Sequence, residues 1–333
     1  MKNRVGHRIP LVLMGMLLAF LMSGCADPTP LSDDSGPAAA SETSATSASD
    51  PFVGTWRLAN IESRDGAGET IPREAPLSSG YIMYDAGGYM GVVIQGANRQ
   101  PYAGERRTPE EALAALRSYT SYFGRFSVDE ETQKVTHHLI GSLNPSGAGS
   151  DYVRGFEFEG NRLTLQPPAR EDGGVTRLTW ERVPDLDNLT EEHRRLAGFR
   201  ELVGIERTND AGESLEVNQY EAGFIIYTTS GHMAVHLMRP GREPYADSQP
   251  TPEEAETALR TYASYFGPYT IHEDEGYLVH HRVGTTNPNS MGSDAQRFYE
   301  LSDDRLILRP PPRTIDGREV QSALTWARLS ESL

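Results

Sequence analysis

Thr108-Pro-Glu-Glu-Ala-Leu-Ala-Ala-Leu-Arg-Ser-Tyr-Thr-Ser-Tyr-Phe-Gly124 recurs further along the chain as Thr251-Pro-Glu-Glu-Ala-Glu-Thr-Ala-Leu-Arg-Thr-Tyr-Ala-Ser-Tyr-Phe-Gly267. Only four of the seventeen positions differ, which chance does not produce. The same offset, 251 − 108 = 143, pairs Tyr84 with Tyr227, His137-His138 with His280-His281, Asn144-Pro145 with Asn287-Pro288, and Arg154 with Arg297. Trp180 and Arg182 meet Trp326 and Arg328 after a three-residue shift, which places a short insertion after Pro310. Two copies of so long a unit are a duplicated domain, because a solenoid uses shorter and more numerous units. The copies span residues 51–184 and 196–329, and a polar linker at 185–195 joins them.

Strands dominate each copy. Gly80-Tyr-Ile-Met-Tyr84 and Tyr89-Met-Gly-Val-Val-Ile94 flank the turn Asp85-Ala-Gly-Gly88, a hairpin signature. Phe156-Glu-Phe-Glu159 and Arg162-Leu-Thr-Leu165 alternate about Gly160-Asn161, a second hairpin. One helix is expected per copy. Thr108 is a good N-cap, Pro109 suits the first turn and Glu111 completes a capping box. Ala112, Ala115, Leu116, Tyr119, Tyr122 and Phe123 fall on one helical face, and the second copy keeps all six as Ala255, Ala258, Leu259, Tyr262, Tyr265 and Phe266. Many antiparallel strands in a short unit favour a closed barrel, which removes exposed sheet edges. The fold class expected is all-β: two tandem antiparallel barrels, each with one short helix.

Side-chain parity points to the polar groups of each interior. Adjacent histidines on a strand face opposite ways, so His137 and His138 cannot hold one ion together. Positions 136 and 140 are Thr and Ile in one copy and Val279 and Val283 in the other, whereas Leu139 becomes Arg282. His138 and His281 share the parity of the first set and are expected inward, with His137 and His280 in solvent. Arg154 and Arg297 have the parity of Phe156 and Tyr299 and are expected inside, where each needs an acceptor. That acceptor is a carboxylate such as Asp151 or the acidic headgroup of a ligand. Tyr119, Tyr122, Tyr262 and Tyr265 are expected to pack helix on barrel, or to line a pocket as donors.

The first residues read as an address. Lys2, Arg4 and Arg8 precede an apolar run from Ile9 to Met22, the n- and h-regions of an export signal over residues 1–24. The run ends in Leu21-Met22-Ser23-Gly24-Cys25, which resembles the bacterial lipobox. That resemblance implies cleavage before Cys25 and lipidation of its sulfur, with anchoring made firm by several acyl chains. Ala26 rather than Asp follows Cys25, which resembles lipoproteins sent to the outer membrane of a two-membrane bacterium. Residues 25–50 are rich in Ser, Ala, Thr, Asp, Pro and Gly, and they read as a disordered tether.

Composition narrows the function. A formal charge of −16, from 31 Lys and Arg against 47 Asp and Glu, argues against nucleic acid as a partner. One cysteine excludes an intrachain disulfide, a zinc cluster or a redox pair, and neither a metal nor a cofactor is expected. A Gly-rich phosphate loop, a Gly-x-Ser-x-Gly elbow and a His-Glu-x-x-His helix are all missing from the sequence. No catalytic residue is assigned.

Gly54-Thr-Trp56-Arg57-Leu58, Gly80-Tyr81-Ile82-x-Tyr84, Tyr119-x-x-Tyr122-Phe123-Gly124, His137-His138 and Trp180-x-Arg182, in that order, resemble the bacterial lipocalin-like domain family. The resemblance covers both copies and implies barrels with one closed end and one open, ligand-accepting end. It further implies that Gly54 and Trp56 open the first strand, that Trp56 seals the closed end and that Arg182 lies across it. Trp180, Trp326 and Arg328 are structural counterparts. The second copy has Gly198-Phe199-Arg200 and lacks the first Trp, so its seal is either rebuilt or weaker. The function expected is a membrane-anchored carrier or sequestering protein of the cell envelope for a small, largely apolar molecule. The alternatives are a lipocalin-like cyclase or isomerase, and an adaptor lipoprotein with filled barrels.

Overall fold

The computed structural model describes residues 47–72, 77–217, 219–315 and 317–329. The export signal, Cys25 and nearly all of the expected tether lie outside the described residues. Repeat one forms β1 (Gly54–Arg64), β2 (Leu77–Tyr84), β3 (Tyr89–Gly96), α1 (Pro109–Arg117), β4 (Tyr119–Asp129), β5 (Lys134–Ser142), β6 (Asp151–Glu159), β7 (Arg162–Gln166) and β8 (Val175–Val183). Each strand pairs antiparallel with the next and β8 returns to β1, giving a closed barrel. The linker contains α2 (Glu191–Leu196).

Repeat two repeats the plan with β9 (Gly198–Asn209), β10 (Ala222–Tyr227), β11 (His232–Met238), α3 (Pro252–Arg260), β12 (Tyr262–His272), β13 (Tyr277–His281), β14 (Gly284–Thr285), β15 (Asp294–Leu301), β16 (Arg305–Arg309), β17 (Arg313–Ile315) and β18 (Arg318–Arg328). Pairing of β18 with β9 and of β11 with β12 closes it, and β13 with β14 occupies the place of β5. The insertion after Pro310 builds β17, which pairs with β18.

The helices are shorter than the spacing predicts. Thr108 caps α1 as expected: its hydroxyl accepts from the Glu111 amide at 3.2 Å while the Glu111 carboxylate accepts from the Thr108 amide at 2.8 Å. The helix ends at Arg117, and Tyr119, Tyr122 and Phe123 belong to β4, as Tyr262, Tyr265 and Phe266 belong to β12. Aromatic and hydroxyl-bearing residues suit a pleated strand, and pairing with β3 and β5 outweighs the helical spacing. The change of period splits the stripe. Tyr119 and Phe123 join the core between the barrels, while Tyr122 joins the core inside barrel one.

The two barrels share a third core. Ala112, Ala115 and Leu116 of α1 pack with Ala255, Ala258 and Leu259 of α3, beside Phe123, Phe224, Ile226 and Phe266. Two arginines related by the repeat, Arg99 buried and Arg242 partly buried, strap across it. Arg99 donates to the Thr285 and Thr286 carbonyls of repeat two, and Arg242 to the Ser142 and Leu143 carbonyls of repeat one. Their guanidiniums lie 5.1 Å from the Tyr119 ring and 5.3 Å from the Tyr262 ring. Hydrogen bonds to charged groups contribute roughly 1.5–3 kcal/mol, so Arg99→Met is expected to lower stability by about 2 kcal/mol in urea unfolding. A change below about 0.5 kcal/mol, typical of an exposed site, would show that the strap is idle.

Candidate functional site

The closed end of barrel one is built on Trp56. Its indole N–H donates to the Phe52 carbonyl at 2.7 Å, and the Arg182 guanidinium sits 4.1 Å from the ring centroid while donating to the Val53 carbonyl at 2.6 Å. Gly54 has φ +127°, and a Cβ there would lie 2.8 Å from the Arg182 guanidinium, so only glycine fits. Repeat two rebuilds the seal with charge. Arg200 replaces Trp56, is fully buried, and donates to the Leu196 and Arg195 carbonyls. Arg328 also donates to the Arg195 carbonyl, and to Ala197 at 2.9 Å. Burial and the adjacent Arg328 pull the Arg200 guanidinium down to about 10.

Inside each barrel one histidine is held between two tyrosines, and it is the opposite member of each His-His pair from the one expected. His137 is fully buried, with Tyr84 Oη 2.8 Å from Nε2 and Tyr122 Oη 3.2 Å from Nδ1. His280 repeats this with Tyr227 at 2.7 Å and Tyr265 at 2.9 Å. His138 and His281 face outward instead, each 2.8 Å from a carboxylate, Asp151 and Asp294. The parity argument failed because Ile140 and Val283, apolar in both copies, are 40% and 41% exposed. Val135, His137 and Leu139 form the buried row.

Burial holds these imidazoles neutral. His137 is pushed down to about 3 by desolvation, with Arg154 and His138 adding like charge, and His280 falls well below its ordinary value for the same reasons. Desolvation raises Tyr122 to about 12 and carries Tyr84 and Tyr227 well above the usual phenol range. A neutral ring accepts one tyrosine O–H and donates its N–H to the other tyrosine, so both nitrogens of each imidazole are satisfied. It fixes Tyr122 and Tyr265 in place.

Above the triad in barrel one lies a cavity of about 520 Å³. Its wall is largely apolar, with Ile61, Ile82, Val92, Leu165, Leu178 and Trp180; Tyr122, Tyr152 and Arg154 are polar groups contributed by the strands, and Arg117, Thr120, Ser142 and Asn144 add further polar lining. Arg154 is half-buried, lies 5.0 Å from the Tyr152 ring and donates to its neighbour's carbonyl. Asp151 is taken by His138, so Arg154 does not pair with it. The Trp180 indole N–H is buried without a protein acceptor, as is that of Trp326. Tyr245, Ser248, Gln249 and Pro250, from the loop between β11 and α3, complete the rim of this cavity from the other barrel.

Barrel two has a smaller cavity of about 200 Å³, bordered by Ile225, Leu308, Tyr265, Trp326, Arg297 and Arg207 among others. Tyr119 borders cavity one but points its hydroxyl to Ser264 at 3.3 Å, and Tyr262 reaches Ser121 at 3.0 Å. These two tyrosines belong to the interface between barrels rather than to a helix packed on a barrel. There Ser121 also meets Nδ1 of the buried His236 at 2.9 Å. Sequence reasoning did not single out His236, Arg99, Arg242 or Arg207. The repetition of Arg99-x-Pro-Tyr102 as Arg242-x-Pro-Tyr245 was the available signal for the straps.

Eight-stranded antiparallel barrels, closed at one end by an aromatic and arginine seal and hollow above it, define the lipocalin type of binding fold. The model of the lipocalin-like domain matches residues 53–183 and 197–329, and the chain belongs to that family in two tandem copies. A 4'-hydroxy-3'-methoxypropiophenone carrier protein of Aspergillus oryzae is 32% identical over 107 residues, 29% of this chain and 96% of the relative. Solved structures with remote likeness include a protein of unknown function from Nostoc punctiforme at 9% identity and TM-score 0.22, covering 83% of this chain and 96% of that one. A putative outer membrane protein of Bacteroides fragilis matches at 8% identity and TM-score 0.21, covering 85% and 100%. Similarities that distant carry nothing about function.

Proposed function

We propose that this protein is a lipid-anchored carrier or sequestering protein of the cell envelope that holds a small, largely apolar molecule in barrel one. The observation that carries this reading is the cavity of about 520 Å³, whose largely apolar wall of Ile61, Ile82, Val92, Leu165, Leu178 and Trp180 is interrupted by polar groups such as Tyr122, Tyr152 and Arg154. Sites for small molecules usually have this size and this sparse polarity. The carrier among its relatives is named for a small aryl ketone, a molecule of the chemistry such a wall accepts. The anchor rests on the export signal and the Leu21–Cys25 motif.

Titration of the purified full chain with 4'-hydroxy-3'-methoxypropiophenone, followed by Trp180 fluorescence and calorimetry, tests the binding reading. Saturable binding is expected, and Leu178→Trp, which intrudes from the apolar wall and narrows the cavity, should weaken it at least tenfold with the circular dichroism unchanged. Unaltered affinity in Leu178→Trp would remove barrel one as the site. For the anchor, Cys25→Ser is expected to move the protein from the membrane fraction to the soluble one.

A further inference from the structure

We infer that the two barrels have diverged in ligand class, and that cavity two binds a small amphiphile through an anionic group, a carboxylate, held by arginines. This deepens the binding reading above and rests on it. The inference starts from a difference between the copies. Arg207 on β9 borders cavity two, paired across the strands with Ser322, whereas the matching place in repeat one holds Ser63, opposite Thr176. Ser63 is satisfied by the Thr176 hydroxyl at 3.1 Å. The Arg207 Nε is buried and has no hydrogen-bond partner among the described residues.

Two more guanidiniums border the same space. Arg297 donates to the carbonyl of Gln296 at 2.7 Å, and Arg313 is carried there by β17, the strand built from the insertion. No carboxylate among the described residues lines cavity two. Among the described residues none of Arg207, Arg297 and Arg313 forms an ion pair.

A cavity bordered by Arg207, Arg297 and the exposed Arg313, with no acid among the described residues of its lining, in a chain of formal charge −16, is a local reversal of the protein's field. A half-buried guanidinium with an unpaired N–H is costly, and a carboxylate satisfies it with short, charge-assisted, often bidentate hydrogen bonds. The apolar remainder of the ligand meets Ile225, Leu308 and Trp326. The smaller volume, about 200 Å³ against 520 Å³, suits a smaller molecule than cavity one takes.

The test compares 4-phenylbutyrate with 4-phenylbutanol, which differ in the carboxylate, by calorimetry on the full-length Leu178→Trp protein, where cavity one is narrowed, so that the signal lost in the cavity-two variants below is the signal assigned to cavity two. The acid is expected to bind at least tenfold more tightly than the alcohol at low salt, and the preference should shrink as sodium chloride rises. Arg207→Gln with Arg297→Gln should abolish the preference while the alcohol binds as before, and the Lys pair at the same positions should restore part of it. Equal affinity for acid and alcohol, or a preference that survives the Gln pair, overturns the anion assignment and leaves the carrier reading standing. Failure of both probes to bind cavity two overturns the assignment as well. If wild-type protein also shows no binding of 4'-hydroxy-3'-methoxypropiophenone, the carrier reading fails with it.

Discussion

Replacing Trp56 by alanine is expected to cost about 3–5 kcal/mol, the usual penalty for emptying a buried tryptophan site. The ring is fully buried, donates to Phe52, tilts against Phe158 at 5.8 Å and carries Arg182 on its face. Its loss opens a void at the closed end and strips the partly exposed Arg182 guanidinium of a cation–π partner worth about 0.5–1 kcal/mol. The barrels share a core through α1 and α3, so the denaturant curve should shift as one transition rather than split. A shift below about 0.5 kcal/mol would reject Trp56 as the seal.

Acid is expected to destabilise the protein strongly between pH 6.5 and 5, before most carboxylates titrate. His137, His236 and His280 are fully buried, and desolvation depresses all three, the first two to about 3. The unfolded chain takes up these protons near pH 6.5 and the folded chain does not, so unfolding binds protons and stability falls as pH falls through this window. It levels off only below the folded values. Each imidazole contributes up to about 1.4 kcal/mol per pH unit, hence up to roughly 6 kcal/mol for three between pH 6.5 and 5. That is a large share of the roughly 5–15 kcal/mol that holds a typical fold together. Urea midpoints at pH 7, 6 and 5 measure the slope, and His137→Gln should reduce it by about a third. An unchanged slope in that variant would mean that His137 is protonated in the fold.

The duplicated barrels were legible because repetition acts as an internal control: a feature written twice, such as the Thr108 and Thr251 capping boxes, is not an accident. The site was less so. The stripe from Ala112 to Phe123 satisfies helical spacing throughout, yet Tyr119 onward is drawn into β4 by partners far away in sequence. The His-His parity misled for a related reason. Ile140 and Val283 sit where the chain leaves the regular ladder, and an apolar side chain at an exposed position reads as core when only sequence is available. The contacts between barrels left almost no trace, since Arg99 and Arg242 each act on the other copy's backbone carbonyls.

The loop that lends Tyr245, Ser248, Gln249 and Pro250 to the rim of the first cavity ties the fates of the two copies together. Neither half is a spare part: mutations accumulating in the downstream gene segment retune what the upstream pocket admits, without touching any residue of the upstream barrel. A one-barrel ancestor would have presented a different doorway to the same chamber. Selectivity here is therefore inherited from a partnership.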